Sequence, residues 1–127
     1  MYDPDNNKFY TQMKNQDYLE IVKNAMWRVV NEKRVGTASH MKKVGDIEYA
    51  GKTGTAQVYN LDKGKTGAKN LQDHALFISY APFDKPEVVI TVIVEHGGGG
   101  SSTAAPIARD IIEYYMNNKT QKVAINE

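Results

Sequence analysis

A chain of 127 residues fits one ordinary domain and can bury roughly two-thirds of its unfolded surface. Its hydrophobic content of 41%, charged content of 24% and net charge of +1 are ordinary for a globular protein, and give no reason to expect nucleic acid or an anionic membrane as partner. There is no cysteine, which excludes disulfides and thiol chemistry, and no apolar run approaches the roughly 20 residues that span a bilayer.

The opening, MYDPDNNKFY, is polar and matches neither a targeting segment nor a core element, as expected of a piece cut from something longer. Residues 1–15 read as loop or frayed end. From Asp17, a plausible N-cap, to Val30, the apolar positions Leu19, Val22, Met26, Val29 and Val30 recur at helical spacing. Asn31–Asp46 is a polar connection. Ile47–Tyr59 reads as a first strand, Asn60–Asp73 as a polar loop, His74–Ala81 as a second strand, and Pro82–Pro86 as a turn. Glu87–Glu95 contains VVITVIV, apolar on both faces apart from Thr91, and this pattern predicts a strand covered on both sides by helices. After Gly97–Gly100, the residues Ser101, Ser102 and Thr103 offer N-caps, and Pro106 is tolerable only in a first helical turn. Ala104, Ala108, Ile111, Ile112 and Tyr115 then form a stripe to about Met116, leaving 117–127 as a polar, disordered tail. The fold class is therefore α+β: three antiparallel strands with helices packed on the sheet, and no internal repeat or domain boundary.

Chemistry concentrates in Tyr49–Tyr59, YAGKTGTAQVY. Period-two alternation puts Thr53, Thr55, Gln57 and Tyr59 on one face and Lys52, Gly54, Ala56 and Val58 on the other. A glycine inside a strand marks a close approach to the backbone. Beside one lysine and two hydroxyls, that bare backbone suits an anion such as a carboxylate. Other motifs fall away. Gly45 and Gly51 are separated by five residues where a P-loop needs four, and a strand follows where a helix should begin. His96 and the four glycines after it have no G-x-S-x-G partner and read as a flexible connection. His40, His74 and His96 lack metal-ligand spacing, so no metal and no cofactor is expected. The second Lys-Thr-Gly triplet, Lys65–Gly67, lies in a polar loop without strand pattern.

AGKTGTAQV, DHALFISYAPFDKPEVVITVIVEHGGGG and AAPIARDIIEYY, with Asn24–Ala38 upstream (NAMWRVVN…GTA), resemble the C-terminal part of a penicillin-binding transpeptidase domain. They resemble the monofunctional, elongation-type branch of class B, the penicillin-binding protein 2 group, and the resemblance covers about Leu19–Met116. The resemblance implies a serine acyltransferase fold acting on the D-Ala-D-Ala end of peptidoglycan stem peptides, which β-lactams mimic. It implies that Lys52 lies near the nucleophile and assists proton transfer. Thr53, Gly54 and Thr55 would bind substrate, the two hydroxyls holding its terminal carboxylate and the Thr55 N–H contributing to the oxyanion hole. It also implies a periplasmic site at the bacterial inner membrane, with an anchor outside this chain.

The family also needs S-x-x-K, whose serine attacks, and S-x-N, both upstream of K-T-G. Ser39–Lys42 spells S-x-x-K but sits in a polar connection with no helix pattern behind it; S-x-N does not occur, and Tyr115–Asn117 (Y-x-N) falls on the closing helix. Residues 1–127 therefore read as the C-terminal portion of a longer D,D-transpeptidase, inactive alone and lacking the N-terminal part of its domain. In the family the last strand pairs with N-terminal strands. Val88–Val94 is accordingly expected to present a free apolar edge, open to self-association or to a second polypeptide. Two rival readings use the same residues: a non-catalytic module that captures a peptide carboxylate, and a structural α+β domain with a chance motif.

Overall fold

The computed structural model describes residues 2–3, 8–9, 15–41, 43–58 and 72–125. Lys42, Tyr59, the 60–71 stretch of the expected polar loop, and the Lys65–Gly67 triplet lie outside them. Two short strands, β1 (Tyr2–Asp3) and β2 (Lys8–Phe9), pair antiparallel within the stretch expected to be loop. Helix α1 (Gln16–Asn31) is followed by β3 (Ala50–Ala56), β4 (His74–Ala81) and β5 (Val88–Val94); a π-helical turn (Gly100–Ala104) then leads into α2 (Ala105–Ile125). The three long strands form one antiparallel sheet in the order β3-β4-β5, with α1 against β3 and α2 against β4 and β5. No helix among the described residues is long and apolar enough to cross a membrane.

The sheet's two faces follow from its register. Ala75, Phe77, Ser79 and Ala81 of β4 stand opposite Val94, Val92, Ile90 and Val88 of β5, and these residues share the face that α2 covers. Along α2 the buried side chains grow from Ala104, Ala105 and Ala108 to Ile112 and Met116, so the helix approaches the sheet most closely at its start. Phe77, 1% exposed, lies over Gly51 of β3, where an added Cβ would come within 2.3 Å of the ring's Cζ. Ser79, fully buried, donates its hydroxyl to the Ile90 carbonyl. Arg109 of α2 bonds the Lys43 carbonyl and both carboxylate oxygens of Glu113, which fastens the helix to the connection before β3.

Five expectations are corrected. The first helix is capped by Asn15, whose Oδ1 accepts from the Asp17 N–H at 2.8 Å, so Asp17 lies inside the helix rather than at its cap. The strand expected over Ile47–Tyr59 is paired only from Ala50 to Ala56. Before it, Val44 and Ile47 form a tight bridge that turns the chain; after it, Val58 N–H is taken by the Asp73 carboxylate. β5 is covered on one face only: α1 packs on β3 instead, leaving Val89 68% and Ile93 62% exposed. Finally, α2 runs to Ile125 past the end of its apolar stripe, where Asn118 bonds the Tyr114 carbonyl and Lys119 pairs with Glu87. The N-cap of the π-helical turn is Gly99 without a side-chain bond; Ser102 and Thr103 instead donate to the carbonyls of Gly99 and Gly97.

One buried group sets a pH limit. Tyr49, 2% exposed, has a hydroxyl without a hydrogen-bond partner, and burial pushes its pKa up to about 12 against the opposing influence of Arg109. Between the ordinary value of 10.0 and about 12, the folded chain keeps a proton that the unfolded chain has released, so stability falls as pH rises through that window. Denaturant melts from pH 8 upward should show this decline, and Tyr49→Phe should flatten it while leaving neutral-pH stability within about 1 kcal/mol of the parent or higher. Ile112→Ala, at a fully buried site, should cost about 2–5 kcal/mol in the same melts.

Candidate functional site

β3 is an edge strand: β4 pairs with one side of it, and no described strand pairs with the other. Its start, Ala50 and Gly51, is buried, whereas Lys52 and Thr55 are exposed and Thr53 is half-buried. Cross-strand partners confirm the expected alternation. Thr53 and Thr55 stand opposite Phe77 and Ala75, and Lys52 and Gly54 opposite Ile78 and Leu76. The lysine and the two hydroxyls thus leave the strand on opposite faces, and they can meet only at its free rim. The Lys52 side chain turns there: Nζ donates to the Thr53 carbonyl at 2.6 Å. An ammonium, a backbone carbonyl and a hydroxyl are thereby gathered within two residues.

Two contacts that pattern reading does not supply hold this rim. Thr37, in the connection after α1, places its Oγ1 3.1 Å from Thr53 Oγ1. Thr37 belongs to the Gly36-Thr37-Ala38 triplet, but no spacing rule connects residues sixteen apart across a turn. The second contact explains the approach to Gly54. Gly100, first residue of the π-helical turn, packs against its backbone so tightly that an added Cβ would lie 2.5 Å from the carbonyl oxygens of Gly54 and Leu76. The Gly97–Gly100 connection is itself pinned. Gly98 N–H bonds the Asp73 carbonyl, and His96, at a φ of 52°, donates its N–H to His74 Nδ1 at 2.9 Å while its own Nδ1 meets the Gln72 carbonyl. The histidine–glycine run is thus a strand-to-helix connection as expected, but a pinned one rather than a flexible one.

Ser39, the serine of the S-x-x-K spelling, donates its hydroxyl to the Gly36 carbonyl at 2.7 Å and so serves the turn; Lys42 lies outside the described residues. A cavity of about 210 Å³ at the base of β3, lined by Val30, Asn31, Ser39, Ile47, Glu48 and Tyr49 among others, does not extend to Lys52–Thr55. At the rim itself, Lys52 and Thr55 are exposed. Among the described residues, no cluster of histidine or carboxylate side chains could hold a metal ion.

Residues 5–113 match the family model for the penicillin-binding protein transpeptidase domain. The chain belongs to the penicillin-binding protein transpeptidase family. It is 45% identical over 111 residues to the peptidoglycan D,D-transpeptidase MrdA of Haemophilus influenzae, which covers 82% of this chain but only 17% of the relative. Among solved structures, it resembles Pseudomonas aeruginosa PBP2 in complex with WCK 5153, with a TM-score of 0.70 and 31% identity over 91% of this chain and 23% of that one. It also resembles the Helicobacter pylori PBP2 in complex with MreC, with a TM-score of 0.66 and 29% identity over 94% of this chain and 21% of that one. The α+β architecture is thus part of a penicillin-binding transpeptidase fold of the PBP2 type, and the chain spans under a quarter of the length of each of these relatives.

In a transpeptidase domain of this kind, the strand that carries Lys52–Thr55 is only as well placed as the turn behind it. Gly100→Ala should force that turn off Gly54 and Leu76. A loss of about 1–3 kcal/mol in chemical melts is expected, with amide resonances of Thr53, Gly54 and Thr55 shifting most.

Proposed function

We propose that this chain supplies the Lys-Thr-Gly wall of a peptidoglycan D,D-transpeptidase working in the periplasm, and that the attacking serine comes from residues outside it. The observation that carries this reading is the rim of β3: an exposed ammonium folded onto a free edge strand, beside two threonine hydroxyls, in a chain of penicillin-binding family.

The chemistry follows from those groups. A stem peptide lying along the free edge would add as a strand, with backbone hydrogen bonds fixing its register. Its terminal carboxylate would meet the Thr53 and Thr55 hydroxyls. Thr53 can accept from Thr37 and donate onward, so the Thr37–Thr53 pair would hold one hydroxyl hydrogen in place for the carboxylate. Lys52 would contribute positive potential to the carboxylate and to the serine, lowering the cost of removing the serine proton. The Thr55 N–H would donate to the oxyanion of the tetrahedral intermediate, where loss of one donor typically costs about 3 kcal/mol. Collapse of that intermediate would break the amide bond and release the terminal D-Ala with a proton on its nitrogen; the acyl-enzyme ester would then pass its peptide to an amine of a second stem peptide, freeing the serine hydroxyl, and β-lactams would acylate the same serine. Gly54 leaves its side of the strand free of a side chain. Ser39 has no part in this scheme, since its hydroxyl is committed to Gly36.

The same rim without chemistry would be a carboxylate-binding module, a reading with which the bonding of Ser39 is equally compatible. Labelled penicillin separates the two in a longer protein that contains these residues together with S-x-x-K and S-x-N. Acylation there is expected, and Lys52→Ala should slow it by on the order of 100-fold or more. The isolated chain should stay unlabelled. Acylation of Ser39 in it, or unchanged labelling of Lys52→Ala, would remove the proposal.

A further inference from the structure

The rim of β3 is held from behind by a connection whose own anchor is an imidazole. Gly100 sits on the Gly54 and Leu76 carbonyls with no room for a methyl between them. The chain that leads to it leaves β5 at Val94 and turns at His96, a non-glycine residue at a φ of 52°. Bonds to the entry of β4 hold that turn. His96 donates its backbone N–H to His74 Nδ1 at 2.9 Å, Gly98 N–H donates to the Asp73 carbonyl at 2.9 Å, and His96 Nδ1 lies 3.1 Å from the Gln72 carbonyl. The two imidazoles meet edge to face with their centres 5.0 Å apart. At the far end the Thr103 hydroxyl donates to the Gly97 carbonyl at 2.8 Å.

The first of these bonds fixes a protonation state. A backbone N–H can only donate, so His74 Nδ1 keeps its lone pair and the neutral ring carries its hydrogen on Nε2. Protonation would set a hydrogen on Nδ1 against the His96 N–H, and a cation 5.0 Å from a second imidazole. The charged neighbours are few. Asp73 precedes His74, but its carboxylate accepts the Val58 N–H; Glu95 precedes His96 and is exposed. Neither carboxylate is bonded to the His74 ring. On β3 the residue opposite His74 is Ala56, with Lys52 four residues away on the same face, and the π-helical turn GSSTA carries no charge.

We infer that His74 is a positioning residue for the Lys52–Thr55 rim. Its neutral imidazole holds the His96–Gly100 connection, which holds Gly54 from behind, and acid releases both. For catalysis this rests on the rim being the transpeptidase wall proposed above: acylation then weakens as pH falls through the imidazole range, about pH 8 to 5.

Titration of the 127-residue chain by NMR reads the coupling without any reaction. At pH 8 the His74 ring nitrogens should report Nε2–H and a bare Nδ1. Toward pH 5 the amides of His96, Gly54 and Thr55 should shift together with that ring. His74→Asn places an oxygen that accepts but does not titrate near the position of Nδ1. The response of Gly54 and Thr55 should then vanish, while their shifts at pH 8 stay near the parent's. His96→Asn keeps the backbone donor at a positive φ, which asparagine tolerates, and should keep the response. In the longer protein with S-x-x-K and S-x-N, the penicillin-labelling rate of the parent relative to His74→Asn should fall roughly three- to tenfold between about pH 7.5 and 5.5. Absence of labelling at every pH would strike the proposed wall, and the amide titration would still decide the role of His74. That role is overturned by a hydrogen on Nδ1 at pH 8, by Gly54 and Thr55 amides that ignore the titration or follow it equally in His74→Asn, or by a relative labelling rate that stays flat.

Discussion

A single backbone approach organises this chain. The π-helical turn at Gly100–Ala104 rests directly on the peptide groups of β3 and β4, with no side chain between. Alanines at 104, 105 and 108 keep the helix close as it leaves the contact, and Ile112 and Met116 fill the space as it moves away. Packing at this density leaves no slack: a single methyl at Gly100 must displace either the helix start or the strand behind it. The central strand β4 is fixed from both sides, through its ladders to β3 and β5 and through Phe77 lying over Gly51.

That arrangement divides the residues of β3 between two tasks. The buried start of the strand is small, Ala50 and Gly51, because Phe77 and the core occupy the room. The later residues are polar and open, since beyond Gly54 the strand runs out past its cover. A site built on an edge strand inherits rigidity from the sheet on one side and access from solvent on the other. The hydroxyl pair between Thr37 and Thr53 adds a brace from the connection after α1, and that connection is held in turn by Asn31, whose side chain bonds the carbonyls of Trp27 and Tyr49. Folding of the first helix and placement of the polar rim are therefore mechanically joined.

Much of this was legible beforehand, and what was not has identifiable physical causes. β4 matches its expected bounds because HALFISYA is a short run rich in apolar and aromatic residues, closed by proline. The K-T-G strand and the α+β class were readable from alternation and from the long segments resembling penicillin-binding transpeptidases. The cover on β5 was misjudged because apolarity on both faces says that a strand tolerates burial, not which element is near enough to bury it. The end of α2 was misjudged because Asn118 and Lys119 hold the helix through polar bonds, which leave no hydrophobic stripe. Thr37 and Gly100 were invisible as contacts because tertiary approach across a turn or a crossover has no local periodicity. Asn15 took the cap from Asp17 by two positions, within the usual uncertainty of helix ends.

The unlike character of the two sheet margins has one more consequence. A ribbon with two identical sticky borders can extend without limit, as fibrils do. Here one border is apolar and bare of charge, and the other is interrupted by glycine and guarded by an ammonium. Unlike margins take unlike neighbours: an apolar strand fits the first, whereas the bare glycine backbone and the ammonium of the second suit a polar, carboxylate-ended chain.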